Sequence, residues 1–343
     1  MMHTPLCELL GIEHPIIQAG MGPFAPASLA AAVSNAGGLG SIGTFGLDPI
    51  NLARSADDLE RQFASIKDLT DRPFAVNFVV PYFEEDREAR RALFERGLAS
   101  GPTLVSFALG DPGDLVARAH ERGALVMVQV TTVRQAEDAA AGGADIIVAQ
   151  GSESGGYGGS VATMVLVPQV VDAVRPVLVV AAGSVFDGRG LAAVLVLGAV
   201  GVNVGTRFLA SREATISDAY KEAILAAGSH DAVKFESLNE LLPSPGTRGY
   251  GTVLRSIRTS FIDELQVQPD LARRDADHLL DVLKTAIQAG NVHEVMPTAG
   301  QSAGGIHELL SVGEIVVGMV AEAERTLAET SARLHSGGRQ PIS

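Results

Sequence analysis

Eight short apolar runs recur along the first two hundred residues of the chain, and each is separated from the next by a stretch with helical character. They are Pro15–Gln18, Leu39–Ile42, Phe74–Asn77, Leu104–Phe107, Leu125–Gln129, Ile146–Ala149, Val177–Ala181 and Val202–Val204. The runs are continuous, not alternating. Strands read that way when helices cover both faces of a parallel sheet. Eight such βα units predict the α/β class and a closed (β/α)8 TIM barrel. An open doubly wound sheet gives the same pattern and is the alternative, because closure leaves no mark in a sequence.

After Phe208 the pattern changes. Ile216–Ala227 and Ala276–Ala289 look helical, and no comparable apolar strand follows. The expectation is a helical substrate or lid domain over 211–299, inserted after strand eight. Residues 1–210 and 300–337 would form the barrel, with Leu309–Leu327 as its last helix. Residues 338–343 would be a flexible tail.

The function classes narrow through charge and cysteine content. A net charge of −14 disfavours nucleic acid and anionic membrane as partners. No run of about 18 apolar residues suggests a membrane span. The one cysteine, Cys7, cannot form an internal disulfide, which fits a reducing cytoplasm. The eight histidines are scattered, with no pair at metal-ligand spacing, so no metal site is expected. The oligomeric state stays open.

In a barrel of this kind the loops after the strands form the active face. The polar residues and glycines of this chain gather there. Gly20, Met21 and Gly22 follow strand one, Asn77 ends strand three, and Gln129 ends strand five. Gln150 opens a loop with five glycines between Gly151 and Gly159. Ala182, Gly183 and Ser184 follow strand seven, and Gly205 and Thr206 follow strand eight. Loops seven and eight commonly bind phosphate through backbone N–H groups. Asn77 and Gln129 offer both donor and acceptor to the edge of a heterocycle. The set suits flavin mononucleotide (FMN) with a small-molecule substrate beside it.

These motifs resemble the FMN-dependent nitronate monooxygenase family, formerly called 2-nitropropane dioxygenases. The resemblance spans nearly the whole chain. It runs through Gly11–Met21, Phe74–Asn77, Ala149–Gly156, Ala182–Gly190, Val204–Phe208 and Ala299–Gly304. The same motifs look like FMN-dependent enoyl-acyl-carrier reductases and NADH:quinone reductases on the same barrel. The resemblance implies that Gly20, Met21, Gly22, Asn77 and Gln129 line the flavin, with Gln150 and Gly155 beside it. It implies a phosphate held by Gly183, Ser184, Gly205 and Thr206. The Gly300–Gly304 loop, with Gln301 and Ser302, would close the substrate side.

One position departs from the family. Relatives carry a histidine base after the Gly-Gly pair, and here the residue is Tyr157. A tyrosine, with a reference pKa near about 10, is a poor base at neutrality but a serviceable acid. A nitronate supplied as its anion needs no base, so oxidation of alkyl nitronates with O2 is one expected activity. Tyr157 also suits a proton donor in an NAD(P)H-dependent ene, enoyl or quinone reductase, or an acyl-thioester dehydrogenase run in reverse. A non-catalytic flavin-binding barrel is the third alternative. Glu153 is the other candidate acid or base, though such a residue also orients loops through backbone hydrogen bonds. His307 sits near the closing loop and reads as the start of a helix. Arg207 suggests a partner for a carboxylate, and Arg189 reads as part of an outer helix.

Overall fold

The computed structural model describes residues 2–44, 56–81, 87–241 and 251–335. The tail expected over 338–343 lies outside the described residues. So do 52–55 and 84–86, at the starts of two helices expected from the sequence.

The eight runs form strands β1 (Ile16–Gln18), β2 (Gly40–Gly43), β3 (Phe74–Val79), β4 (Leu104–Ala108), β5 (Leu125–Val130), β6 (Ile146–Gln150), β8 (Leu178–Ala182) and β9 (Gly201–Val204). All are parallel, in the order β1-β9-β8-β6-β5-β4-β3-β2. The two ends of that order meet at a parallel bridge between Ile17 and Leu39. There the Leu39 N–H donates to the Ile16 carbonyl at 2.9 Å and the Gln18 N–H donates to the Leu39 carbonyl at 2.8 Å. The sheet is thereby a nearly closed TIM barrel, and the open doubly wound alternative falls.

Alternate residues of each strand serve two cores. Ile17, Ala75, Leu104, Met127, Ile146, Val148 and Val180 fill the barrel interior. Ile16, Val76, Val105, Val126, Ile147, Val179 and Val202 pack outward with the helices. Continuous burial on both faces is why the strands read as unbroken apolar runs. The helix Pro5–Leu10 plugs the end where the strands begin, with Leu6, Cys7 and Leu10 in the interior cluster. Only the opposite end, at the strand C-termini, is left for a site. Thr132 and Gln135 form a reciprocal capping box before the helix Val133–Ala141. The last helix, Val312–His335, packs against Gly188–Val196.

The segment after β9 departs from the expectation of an all-helical insert. It contains the helices Asp218–Ala226, Ser260–Val267 and Ala276–Gln288, but also β10 (Ala232–Lys234) and β11 (Val253–Ile257). The central strand β11 pairs antiparallel with β10 and with β7 (Gly156–Gly158), which lies within the glycine-rich sixth loop. The sequence does not signal these strands, because β11 carries Arg255 and Ser256, and β7 is Gly-Tyr-Gly. Neither gives a continuous apolar signal. Around them Phe235, Leu238, Leu254, Ile262, Leu265 and Leu283 make a core separate from the barrel's. Among the described residues no helix is long and apolar enough to cross a membrane.

Candidate active site

A cavity of about 230 Å³ opens at the C-terminal end of the barrel. The loop after β1 contributes Gly20, Met21 and Gly22 to its wall, and Asn77, Gln129 and Gln150 reach it from β3, β5 and β6. Ala182, Gly183 and Ser184 reach it after β8, and Gly205 and Thr206 after β9. Gly155, Tyr157 and Ser302 line it as well. The cavity thus brings together residues that the sequence spreads over nearly three hundred positions. Gln301 and Glu153 are not on its wall.

The cavity floor carries amides. The Gln129 amide donates to Gln150 Oε1 at 3.0 Å, and the Asn77 amide donates to Ser106 Oγ at 3.2 Å. Gly20 is needed for that placement, since a Cβ there would lie 2.2 Å from Asn77 Cγ. Asn203 adds a fourth amide, which the sequence reading passed over. It is 6% exposed, and its Oδ1 has no hydrogen-bond partner. A polar residue inside the run Val202-Asn203-Val204 was the available signal, because β9 is otherwise wholly buried and apolar there. A buried acceptor left unpaired is costly unless a ligand supplies the donor.

Beside the amides, two successive residues after β8 adopt left-handed backbone, Gly183 at φ +92° and Ser184 at φ +63°. Ser184 is not glycine, so this conformation carries strain of the kind concentrated at binding loops. The Thr206 hydroxyl accepts the Gly300 N–H at 3.0 Å, which ties the loop after β9 to the 300–305 turn.

The sixth loop is ordered by protein contacts. The Gln301 N–H donates to the Glu153 carbonyl at 2.9 Å. Glu153 turns its carboxylate to the start of the helix Thr163–Val174. There it accepts the Thr163 N–H at 3.0 Å and the Thr163 hydroxyl at 2.9 Å. Its geometry is that of a loop-orienting residue, facing a helix end and not the cavity.

Tyr157 faces the cavity from β7, directly opposite Leu254 of β11, and packs against the core of the insert. Above the amides the wall is apolar: Leu254, Leu283, Ile287 and Met296 all come from the insert. No histidine appears among the described lining residues. His307 is exposed in a loop and does not start a helix. Arg207 is buried and binds the carbonyls of Ala210 (2.5 Å) and Glu308 (2.8 Å), not a carboxylate. Burial pushes its guanidinium below the usual arginine range, and Glu308 opposes the shift. Arg189 lies on the outer helix Gly188–Val196 and pairs with Asp187.

Known proteins give this arrangement a lineage. A sequence profile described as nitronate monooxygenase matches residues 3–322. A (3aS,4S,5R,7aS)-5-hydroxy-7a-methyl-1-oxo-octahydro-1H-indene-4-carboxyl-CoA dehydrogenase of Mycobacterium tuberculosis is 34% identical, covering 96% of this chain and 99% of its own. A probable nitronate monooxygenase of Staphylococcus saprophyticus is 36% identical over 68% of this chain and 75% of its own. The solved structure of FabK from Thermotoga maritima superposes with a TM-score of 0.84 at 33% identity, covering 97% of this chain and all of that one. The chain belongs to the nitronate monooxygenase family of flavin-dependent oxidoreductases.

Proposed function

We propose that the protein is an FMN-dependent oxidoreductase acting on an acyl thioester or a related conjugated carbonyl compound, with Tyr157 as the group that moves the proton. The observation that carries this is Tyr157 on the cavity wall with no histidine among the described lining residues, at the position where the family resemblance implies a histidine base. Conversion between an enoyl and an acyl thioester needs one hydride and one proton, and a phenol is suited to the proton.

The chain's residues fit the flavin. The unpaired Asn203 Oδ1 can accept from a hydroxyl or ring N–H. Gly183, Ser184, Gly205 and Thr206 would hold the phosphate, and Asn77, Gln129 and Gln150 would face the ring with Gly20, Met21, Gly22, Gly155 and Ala182. When bound, FMN supplies a two-electron carrier that accepts or delivers hydride. Leu254, Leu283, Ile287 and Met296 exclude water and accommodate an apolar acyl or ring portion. Residues 211–299 act as the lid that completes this pocket, over a barrel formed by 1–210 and 300–337. Ser302 faces the substrate side, while Gln301 and Glu153 hold the loops. The whole-length relative that acts on a carboxyl-CoA ring compound supports the thioester class. A nicotinamide dinucleotide is the reductant consistent with an enoyl reductase direction.

Oxidation of alkyl nitronates with O2 is a second activity this site fits, supported by the family match. The nitronate is already an anion, so it requires no base from the chain. Anaerobic mixing of the FMN-loaded protein with NADH or NADPH, then with trans-2-octenoyl-CoA, tests the proposal. Bleaching by the nicotinamide followed by recovery of the oxidised spectrum on thioester addition is expected. Bleaching by propyl-2-nitronate with no response to either reagent would replace the thioester assignment with the nitronate one.

A further inference from the structure

Two cations in the insert, one buried and one half-buried, are not used by the chemistry above. Arg255 of β11 is 9% exposed, and Lys234 of β10 is its partner across the strand pair. Both grip carbonyls of the sixth loop. Arg255 Nη2 donates to the Ser152 carbonyl at 2.9 Å, and Nη1 donates to the Ala232 carbonyl. Lys234 Nζ donates to the Gly158 carbonyl at 3.1 Å and to the Gly159 carbonyl. The gripped carbonyls therefore bracket Tyr157, with Ser152 on one side and Gly158 and Gly159 on the other. The strand register adds a third hold, Leu254 opposite Tyr157 and Arg255 opposite Gly156.

This is an expensive way to join two strands. Burial pushes both cations below their usual ranges, Arg255 lowers Lys234 further, and only Glu153 opposes the shifts. Apolar residues at both positions would pair the strands without that desolvation. What ammonium and guanidinium groups add is directional hydrogen bonding to chosen carbonyls of a loop rich in glycine.

We propose that Lys234 and Arg255 are positioning residues for Tyr157, clamping the backbone on either side of it so that the phenol is held at the cavity wall. The clamp rests on the assignment of Tyr157 as proton donor for its effect on rate, but not for its effect on where the ring stands. Through it the insert sets the geometry of a group carried by the barrel.

The test is a double-mutant cycle on the FMN-loaded protein. The dithionite-reduced enzyme is mixed anaerobically with trans-2-octenoyl-CoA and reoxidation is followed. Lys234→Met should slow reoxidation by roughly 10- to 100-fold. In the Tyr157→Phe background it should slow it no further, because the residue it positions is gone. Lys234→Arg should restore most of the rate. Equal slowing in both backgrounds, or none in either, overturns the proposal. A second measurement is independent of activity. The chain has four tyrosines, so 3-fluorotyrosine labelling gives a simple ¹⁹F spectrum in which loss of a line in Tyr157→Phe assigns residue 157. Lys234→Met should shift or broaden that line and leave the line of buried Tyr220 unmoved. An unmoved Tyr157 line overturns the clamp whatever the rates are. If Tyr157→Phe itself leaves reoxidation unchanged, the proton-donor role fails, and the ¹⁹F line alone decides the positioning.

Discussion

Gly155 and Gly300 pack backbone against backbone: a Cβ on Gly155 would lie 2.6 Å from the Gly300 nitrogen, and one on Gly300 would lie 2.8 Å from the Gly155 nitrogen. The glycine at 155 therefore makes room for another loop of the protein, though it also borders the cavity. Gly155→Ala should force the sixth loop from the 300–305 turn and cost about 1–3 kcal/mol. Thermal unfolding and fluorescence titration with FMN check this. Unchanged melting and affinity would mean that the two loops are not rigidly joined.

Tyr157→His should give the cavity a base that titrates near neutrality. Oxygen consumption with neutral nitroethane should rise by at least roughly tenfold at pH 7 to 8, while turnover of the preformed nitronate stays near its original level. No gain on nitroethane would show that the apolar wall, and not the missing base, excludes neutral nitroalkanes.

Glu153→Gln should act on stability more than on chemistry. The carboxylate accepts two hydrogen bonds from Thr163 and is the anion that opposes the pKa shifts of Lys234 and Arg255. Its replacement should lower stability by about 1–2 kcal/mol. The flavin spectrum should be unaltered. A loss of turnover of roughly 100-fold or more at unchanged stability would return Glu153 to the acid–base role.

Asn203→Leu tests the orphaned acceptor. The substitution removes Oδ1 and leaves the barrel packing largely intact, so FMN affinity should fall roughly 5- to 10-fold. Equilibrium dialysis measures it. Equal or tighter binding would mean that the flavin leaves Asn203 unpaired.

Lys234 gives stability a pH signature. Burial, then Arg255, hold its ammonium below the ordinary lysine value of 10.5, against Glu153. Between the lowered folded value and the ordinary one, the unfolded chain binds the extra proton. Stability contributed by this group therefore rises with pH across that window and is constant below it, where both states are protonated. Urea denaturation of Lys234→Met should show a flatter pH dependence in the alkaline range than the unaltered protein. Parallel curves would contradict the shift.

The barrel and much of the cavity wall were legible from the sequence for one reason. Strands buried on both faces must be continuously apolar, so polar residues and glycines at their ends are conspicuous, as with Asn77, Gln129, Gln150 and Gly183. Asn203 was missed because it sits inside its run and not at the end. The pairing of Tyr157 with Leu254 joins positions about a hundred residues apart, and one partner is flanked by glycines. No periodicity survives in three residues. The contacts of Glu153 and Arg207 depend on the direction of single side chains, Thr163 in one case and the carbonyls of Ala210 and Glu308 in the other. Residue type alone does not fix such choices.

The ladder between β7 and β11 also imposes an order on biosynthesis. All eight barrel strands have been made once the chain reaches Val204, but β11 begins only at Val253. At the usual speeds of translation, about 5–20 residues per second, the gap lasts for some seconds. During that interval the nascent chain has every strand of its barrel, while Tyr157 has no strand opposite it. The eight strands of the barrel are thus available to pair with one another before the strand that faces Tyr157 exists, and a chain halted between those two points would carry the strands without that ladder.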